Sequence, residues 1–466
     1  MSERDAGLET LSALCESLGL PAPDPARVEI AGADPVLPTR FRVGEAAAAA
    51  LAATGLAAAD LWELRGGRSQ RVRVDVVGAA ASLLSFAFQR AEDPAAIPAF
   101  DPSRNVTGIY PTRDGGFFLL HGSFPDTQAK ALALLGCGED VKAVAERIAG
   151  WDGQALEDAI AERGLCGARV RSADEWAAHP QGRALAARPV VEVIKLGDSP
   201  PEPFAPAGAR PLDGVRALDL TRVLAGPTCG RTLAAHGAQV LRIGSPKLPS
   251  IPPFVIDTSH GKRSAYLDLD DADDVERLRA LARSADVFTQ GYRSGALARR
   301  GFGPEALHAL RPGIVYTSIN CYGHEGPWMQ RPGWEQLAQS VTGIAHEHGG
   351  ATSPRLLPAA ATDYNTGYLA ALGTMIALAR RAREGGSWHV RASLCQTGMW
   401  LSRMRRSDAA GAGLSAEQVA PFIVQSDTAY GRLSHLGPIV ELSDTPARWA
   451  LPTPPLGAHQ PVWESL

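Results

Sequence analysis

Asp363 stands in the run Ala360-Ala361-Thr362-Asp363-Tyr364-Asn365-Thr366-Gly367, just ahead of an apolar stretch, Tyr368–Ala379, that has the pattern of a helix. A carboxylate in that place commonly caps the helix, accepting its first free N–H groups, and local sequence alone favours that use. Trp334-Glu335, within Arg331-Pro332-Gly333-Trp334-Glu335-Gln336, sets an acid beside an indole that cannot relay protons in acid–base work. Core packing at a strand–helix junction accounts for Trp334 equally well. Lys262 and Arg263 in His260-Gly261-Lys262-Arg263-Ser264, and Arg299 in the segment Gly295–Gly301, are cations that either pair with phosphate or stay solvated. His324, in the Gly-rich turn Tyr322–Pro327, reads as loop rather than catalyst. Six cysteines are scattered with no CxxC and no Cys/His cluster at metal spacing, so reduced thiols and no metal are expected. No GxGxxG follows Val215–Leu220, which argues against NAD, and no Walker loop, HExxH or GxSxG elbow occurs.

The elements that must position these groups are legible in part. Val215–Leu220 is a short apolar strand, Ala225-Gly226-Pro227 breaks it, Arg231–His236 suits a helix, and Gln239–Ile243 is a second strand. That order is one βαβ unit of a nucleotide-fold sheet. Ala46–Ala59 is an alanine-rich helix, too short to span a bilayer. Residues 198–211 are Pro-rich and read as a linker, and residues 405–420 as a loop. A weak repeat relates residues 45–85 to 366–402: each runs from a long helix through Gly-Gly (Gly66-Gly67, Gly385-Gly386) into a strand.

Composition sets outer limits. A chain of 466 residues is too long for one compact core. Its 45% hydrophobic and 21% charged residues suit a soluble protein, and a net charge of −4 argues against nucleic-acid or anionic-membrane partners. Residues 1–20 lack the basic start of a secretory signal, so a cytoplasmic protein is expected.

The stretch from Leu212 to Pro246, followed by His260–Asp270, resembles the opening of class III CoA-transferases, a family that includes formyl-CoA transferase, carnitine CoA-transferase and the α-methylacyl-CoA racemases. Asp114–Phe118 is similar to that family's DG-aromatic strand entry, Arg171–Gln181 to a later element, and Tyr430–Gly437 with Asp444–His459 to its tail. The likeness spans 212–402 most closely, 60–200 and 429–460 more loosely, and leaves 1–40 unmatched. Its order implies a fusion of two family copies, the first without a nucleotide-fold half and the second with almost no small domain. The expected fold is α/β, a six-stranded-type nucleotide-fold (Rossmann-like) large domain with a smaller α/β domain. The expected segments are 1–94 (helix–Gly–strand unit), 95–197 (small domain), 198–211 (linker), 212–404 (nucleotide-fold domain) and 405–466 (tail on the large domain).

The resemblance also implies chemistry. Asp363 matches the aspartate that attacks a thioester carbonyl to form a mixed anhydride, and the helix N-terminus would help keep it ionised. Glu335 is its expected catalytic companion. Racemases of the family carry a histidine where Trp334 stands, so Trp334 with Glu335 fits transferases. Val223, Leu224 and Ala225 match the loop beside the pantetheine, and Lys262, Arg263, Arg299 and Trp334 complete the expected coenzyme A contacts. Val43-Gly44-Glu45 replaces the aspartate in the first copy, implying one active centre per chain. Gly244-Ser245 replace an acid and a base at the end of the second strand, with Lys247 as the substitute cation, and residues 86–120 lack a run of glycines. Coenzyme A as substrate, without metal or NAD, is expected, with acyl-CoA and small carboxylic acids as partners. Either a homodimer or a monomer is compatible with the sequence. The alternatives are an inactive CoA-binding or scaffold paralogue and an acyl-CoA racemase or isomerase.

Overall fold

The computed structural model describes residues 3–98, 106–206 and 208–464. Residues 99–105 of the expected small domain, residue 207 of the linker and residues 465–466 of the tail lie outside them, as do residues 1–2.

A seven-stranded sheet carries the nucleotide-fold half. Its spatial order is Lys262–Tyr266, Gln239–Gly244, Arg216–Leu220, Val287–Gln290, Val315–Asn320, Ser387–Ser393 and Val191–Gly197. The first six strands are parallel, and their interior residues are buried on both faces, as helix-covered parallel strands require. Strand order reverses between Arg216–Leu220 and Val287–Gln290, which opens a crevice at the strands' C-terminal ends. The loop Thr221–Leu224 sits there.

Two expectations change. The seventh strand, Val191–Gly197, runs antiparallel to Ser387–Ser393, so it belongs to the large sheet and not to the small domain. It covers an otherwise open edge whose backbone groups would lack partners. The crossover helix spans Ala225–Ala235, beginning well before the expected Arg231, so Gly226 and Pro227 lie in its first turn and not in a separate loop. Proline is tolerated there because the first N–H groups have no intrahelical acceptor.

The preceding half contributes a second sheet, in which Val28–Ala31 and Val72–Asp75 are parallel and Glu441–Leu442 joins antiparallel. Between them runs the helix Val43–Leu64, longer than the alanine run alone suggested. It is the one helix among the described residues long and apolar enough to cross a membrane, yet it is largely buried. It packs on the 24-residue helix Ala361–Glu384, and Thr54 donates to the Tyr368 carbonyl at 3.3 Å. The order long helix, Gly-Gly turn, strand, short helix therefore occurs twice, each strand parallel to an earlier one, with two short helices inserted ahead of the long helix in the second half.

A smaller α/β unit surrounds its own core of Val106, Phe118, Leu120, Leu132, Ile148 and Ile160. Its strands Gly108–Pro111, Phe117–Leu120 and Gly167–Arg169 form an antiparallel sheet backed by three helices. Gln181 anchors the segment that leaves it, donating to the carbonyls of Tyr322 and Glu325 at 2.6 and 2.7 Å. The tail forms the hairpin Ile423–Thr428 and Gly431–Leu436, with Arg90–Ala91 as its third strand. Most of the segment 405–420 is irregular, with one short helix at Ala416–Val419.

Candidate active site

Asp363 is the third residue of the helix Ala361–Glu384 and does not cap it. The cap comes from another element. Glu335, first residue of the short helix Glu335–Val341, accepts from Thr362 N at 3.0 Å, Thr362 Oγ1 at 2.5 Å and the backbone N–H of Asp363. Gln339 Nε2 donates to its other side at 2.6 Å. The helix's free N–H groups thus go to Glu335, and the Asp363 carboxylate is left without a hydrogen bond from the described residues, 6% exposed on the wall of a cleft.

The first half of the chain holds a counterpart. Glu45 is the third residue of the helix Val43–Leu64, and Asp34 accepts its backbone N–H at 2.8 Å, much as Glu335 does for Asp363. But Glu45 is closed in: Arg42 donates to it at 3.1 Å, as does Asp34 N, and the residue is fully buried. The same helical position carries a satisfied acid in one half and an open one in the other.

Burial raises the Asp363 pKa well above the ordinary aspartate value, and the neighbouring Glu335 charge adds to it. Glu335 is also raised by burial, but its hydrogen bonds work against that rise. Glu335 has several donors that favour its anion and Asp363 has none among the described residues, so the Asp363 carboxyl is the more strongly raised of the two. The helix start, expected to help keep Asp363 ionised, is opposed here by burial and by the like charge of Glu335.

The cleft between the large sheet and the small unit has a volume of about 370 Å³. Val223, Leu224, Trp334, Glu335 and Asp363 all line it, so five of the expected site residues meet. Val223 holds φ at +68°, a region β-branched residues rarely occupy, at a cost of about 1–3 kcal/mol. Trp334 stacks on His121 at 5.8 Å and leans on Phe124 at 5.2 Å, both from the loop after Phe117–Leu120. Burial keeps the His121 imidazole neutral, pulling its pKa down to about 4, and its Nδ1 has no partner among the described residues. Phe86 and Phe254 form an edge-to-face pair at 4.8 Å on another wall.

A second, narrow pocket with room for only about 30 Å³ shares Phe124, Val223, Ile251 and Phe254 with the first. Arg222 and Arg242 line it beside Tyr266, Tyr292 and Ser245. Arg242 is 4% exposed and donates to Ser259 Oγ at 3.0 Å; Arg222 donates to the Pro249 carbonyl. Neither is in an ion pair with a carboxylate among the described residues. Burial lowers both pKa values, and for Arg242 the nearby Asp219 charge only partly opposes it.

The remaining expected contacts lie elsewhere. Lys262 is buried, its Nζ held by Asp219 and the Pro227 carbonyl, both at 2.6 Å, and burial pulls its pKa down to about 8. It cannot reach a phosphate, because the ion pair that makes its burial tolerable points it into the core. Arg263 pairs with Glu464, and Arg299 is exposed on the turn Ala298–Arg300, lining neither chamber. Ala225 sits under the site, its carbonyl facing Gly367. Lys247 is tied to Asp268 at 2.6 Å and does not replace the cation missing at Ser245. His324 bonds Ser318 Oγ at 2.8 Å, and burial drops its pKa to about 3. No group of side chains among the described residues could hold a metal.

His121, Arg222 and Arg242 were missed from sequence. Arg242 had a signal, a charge inside the apolar strand Gln239–Gly244; His121 had only its place in the loop after a strand.

This is an α/β protein with the Asp363 carboxylate on the wall of a cleft beside its sheet. The model of CoA-transferase family III matches residues 28–201 and 212–419, and the chain belongs to that family. It is 37% identical over 334 residues to an acyl-CoA transferase of Gibberella moniliformis, which covers 64% of this chain and 58% of the relative. An acetyl-coenzyme A transferase, nodX, of Hypoxylon pulicicidum is 35% identical over 64% of this chain and 54% of its own. The chain thus spans a little over half the length of these relatives. A CAIB/BAIF family protein of Brucella suis aligns at 26% identity over 48% of this chain and 65% of its own, with a TM-score of 0.39.

Proposed function

We propose that the protein transfers coenzyme A from an acyl-CoA to a carboxylic acid through covalent intermediates on Asp363. The observation that carries this is the Asp363 carboxylate itself: uncapped, without a hydrogen-bond partner among the described residues, and on the wall of a cleft beside a narrow pocket lined by Arg222 and Arg242. Ionised Asp363 attacks the thioester carbonyl; the C–S bond breaks and the CoA thiolate leaves, giving an acyl-aspartyl anhydride. The thiolate then attacks the aspartyl carbonyl, releasing the acyl group as a carboxylate and leaving an aspartyl thioester. An acceptor carboxylate repeats the sequence in reverse and departs as the new CoA ester, with Asp363 restored. Atoms and charge balance without an oxidant, a reductant or a metal.

Glu335 acts in this scheme as a positioning residue. Its oxygens are taken up by Thr362, Asp363 N and Gln339, so it fixes the helix start and aims Asp363. Val223 and Leu224 flank the thioester, and Arg222 and Arg242 serve the anionic portion of CoA in place of Lys262, Arg263 and Arg299. The twice-used order of long helix, Gly-Gly turn and strand, with Glu45 sealed and Asp363 open, supports two degenerate copies sharing one centre, divided near the segments expected above.

Hydroxylamine added during turnover should convert Asp363 to a hydroxamate, read by peptide mass. An active enzyme with Asp363 unmodified would rule the scheme out. His121 favours a second reading, acyl-CoA racemisation, because it returns a neutral imidazole to the Asp363 cleft. Deuterium wash-in at the α-carbon of a branched acyl-CoA, without CoA exchange, would support it.

A further inference from the structure

We infer that the acyl group this site accepts is apolar and monocarboxylic, larger than acetyl, and that dicarboxylic acyl groups are excluded. The inference rests on the proposed attack by Asp363, because it concerns what lies beyond that atom.

The charge of the two chambers differs sharply. The narrow second pocket carries both Arg222 and Arg242 in its lining. Among the described residues no lysine or arginine lines the chamber that contains Asp363. Its charged members are Glu335 and Asp363 themselves, both acids. Its one imidazole, His121, is held neutral by burial. A second carboxylate on the acyl group would be desolvated here beside two acids with no cation to meet it, which is the costliest arrangement a buried charge can have.

The neutral amide nearest the acids is already committed. Gln339 donates to Glu335 at 2.6 Å and accepts from Leu357 N at 2.7 Å. Ser123 and Gln336 also line the chamber, and the rest of its walls are mostly apolar and large. The edge-to-face pair Phe86–Phe254 lines one side, the stack of His121, Phe124 and Trp334 another, and Leu356 and Leu357 a third. Aromatic faces and leucines of this extent favour a ring or an alkyl chain, and acetyl would leave most of the chamber unfilled.

The wild-type protein tests this with a panel of CoA donors and their free acids: phenylacetyl-CoA and octanoyl-CoA against acetyl-CoA, succinyl-CoA and glutaryl-CoA. We expect kcat/KM for the two large apolar esters to exceed that for the two dicarboxylic ones by on the order of a hundred-fold or more, with acetyl-CoA between them. Phe86→Arg, which brings a cation to the wall, should narrow that ratio by about tenfold or more. Dicarboxylic esters turned over as well as or better than apolar ones would overturn the inference and leave the aspartyl scheme standing. Absence of exchange with every ester, together with an unmodified Asp363 under hydroxylamine, would instead remove the scheme. Titration calorimetry of Asp363→Asn with octanoyl-CoA and succinyl-CoA decides the preference in either case: tighter succinyl-CoA binding sinks it, tighter octanoyl-CoA binding upholds it.

Discussion

Two acids of the site divide their work because one receives every nearby donor and the other receives none. Glu335 is anchored by Thr362, Asp363 N and Gln339, whereas Asp363 faces the cleft with its pKa raised by burial and by Glu335. For an aspartate raised in the folded state, the stabilising share is present below the ordinary carboxylate range and is lost as pH rises through the raised value. The nucleophile is the ionised form, so exchange should grow over that same window. The kcat/KM profile should show an acid limb above the ordinary carboxylate range, and Glu335→Gln should move it to lower pH by removing the like charge. A flat profile between about pH 5 and 8 would contradict this. Asp363→Asn should lower exchange by on the order of 10⁴-fold while raising neutral-pH stability by about 0.5–2 kcal/mol, as removal of a poorly solvated acid does. Lys262→Met should behave differently. It strands Asp219 in the core and costs about 3–5 kcal/mol in chemical denaturation, yet the folded fraction should bind CoA normally.

Among the elements, Ala361–Glu384 and the crossover helix Ala225–Ala235 pack closely against each other. Gly367 permits it: a Cβ there would lie 2.6 Å from the Ala225 carbonyl and 2.6 Å from Thr228 Cβ. Gly367→Ala should therefore cost about 1–3 kcal/mol by overpacking and lower exchange, since the shift moves the helix start that carries Asp363. Full activity with an unchanged melting temperature would show that the contact relaxes freely. The apolar periodicity of this helix was readable in sequence, as was the strand–helix–strand order around Leu224. Its exact start was not, because the cap resides on Glu335, 28 residues earlier in the chain. The same holds for Pro227, whose tolerance depends on falling in a first turn.

At the scale of the whole molecule, a buried polar network fastens the segments together. Asp257 accepts from Arg231 at 2.7 Å, Tyr364 Oη at 2.8 Å and Ser85 Oγ at 2.5 Å, joining the nucleotide-fold half to the preceding segment. Arg231 also lies under Trp449 of the tail, whose indole donates to the Arg231 carbonyl at 3.1 Å. Asp257→Ala should cost about 3–5 kcal/mol, because it leaves the Arg231 guanidinium buried and unpaired. Protection of the 85–90 amides in hydrogen exchange should fall with it. A loss under about 1 kcal/mol would mean that solvent reaches Arg231 and that the segments hold by apolar packing alone.

The amino-acid sequence alone determined the α/β class, the βαβ unit from Val215 to Ile243, the likeness to class III CoA-transferases, and Val223, Leu224, Trp334, Glu335 and Asp363 as residues to watch. Those are statements about local pattern, and local pattern reports hydrophobic period, turn chemistry and motif order. Tertiary structure decided which charges are free. Lys262, Arg263 and Lys247 look alike in sequence to Arg222 and Arg242, but the first three meet carboxylates and the last two do not. It also decided that Val191–Gly197 closes the large sheet and that Glu45 is sealed while Asp363 is open. The reason is physical: whether a buried charge is a structural pair or an available group depends on what lies within a few ångströms of it. Chain neighbours supply only a small part of that surrounding.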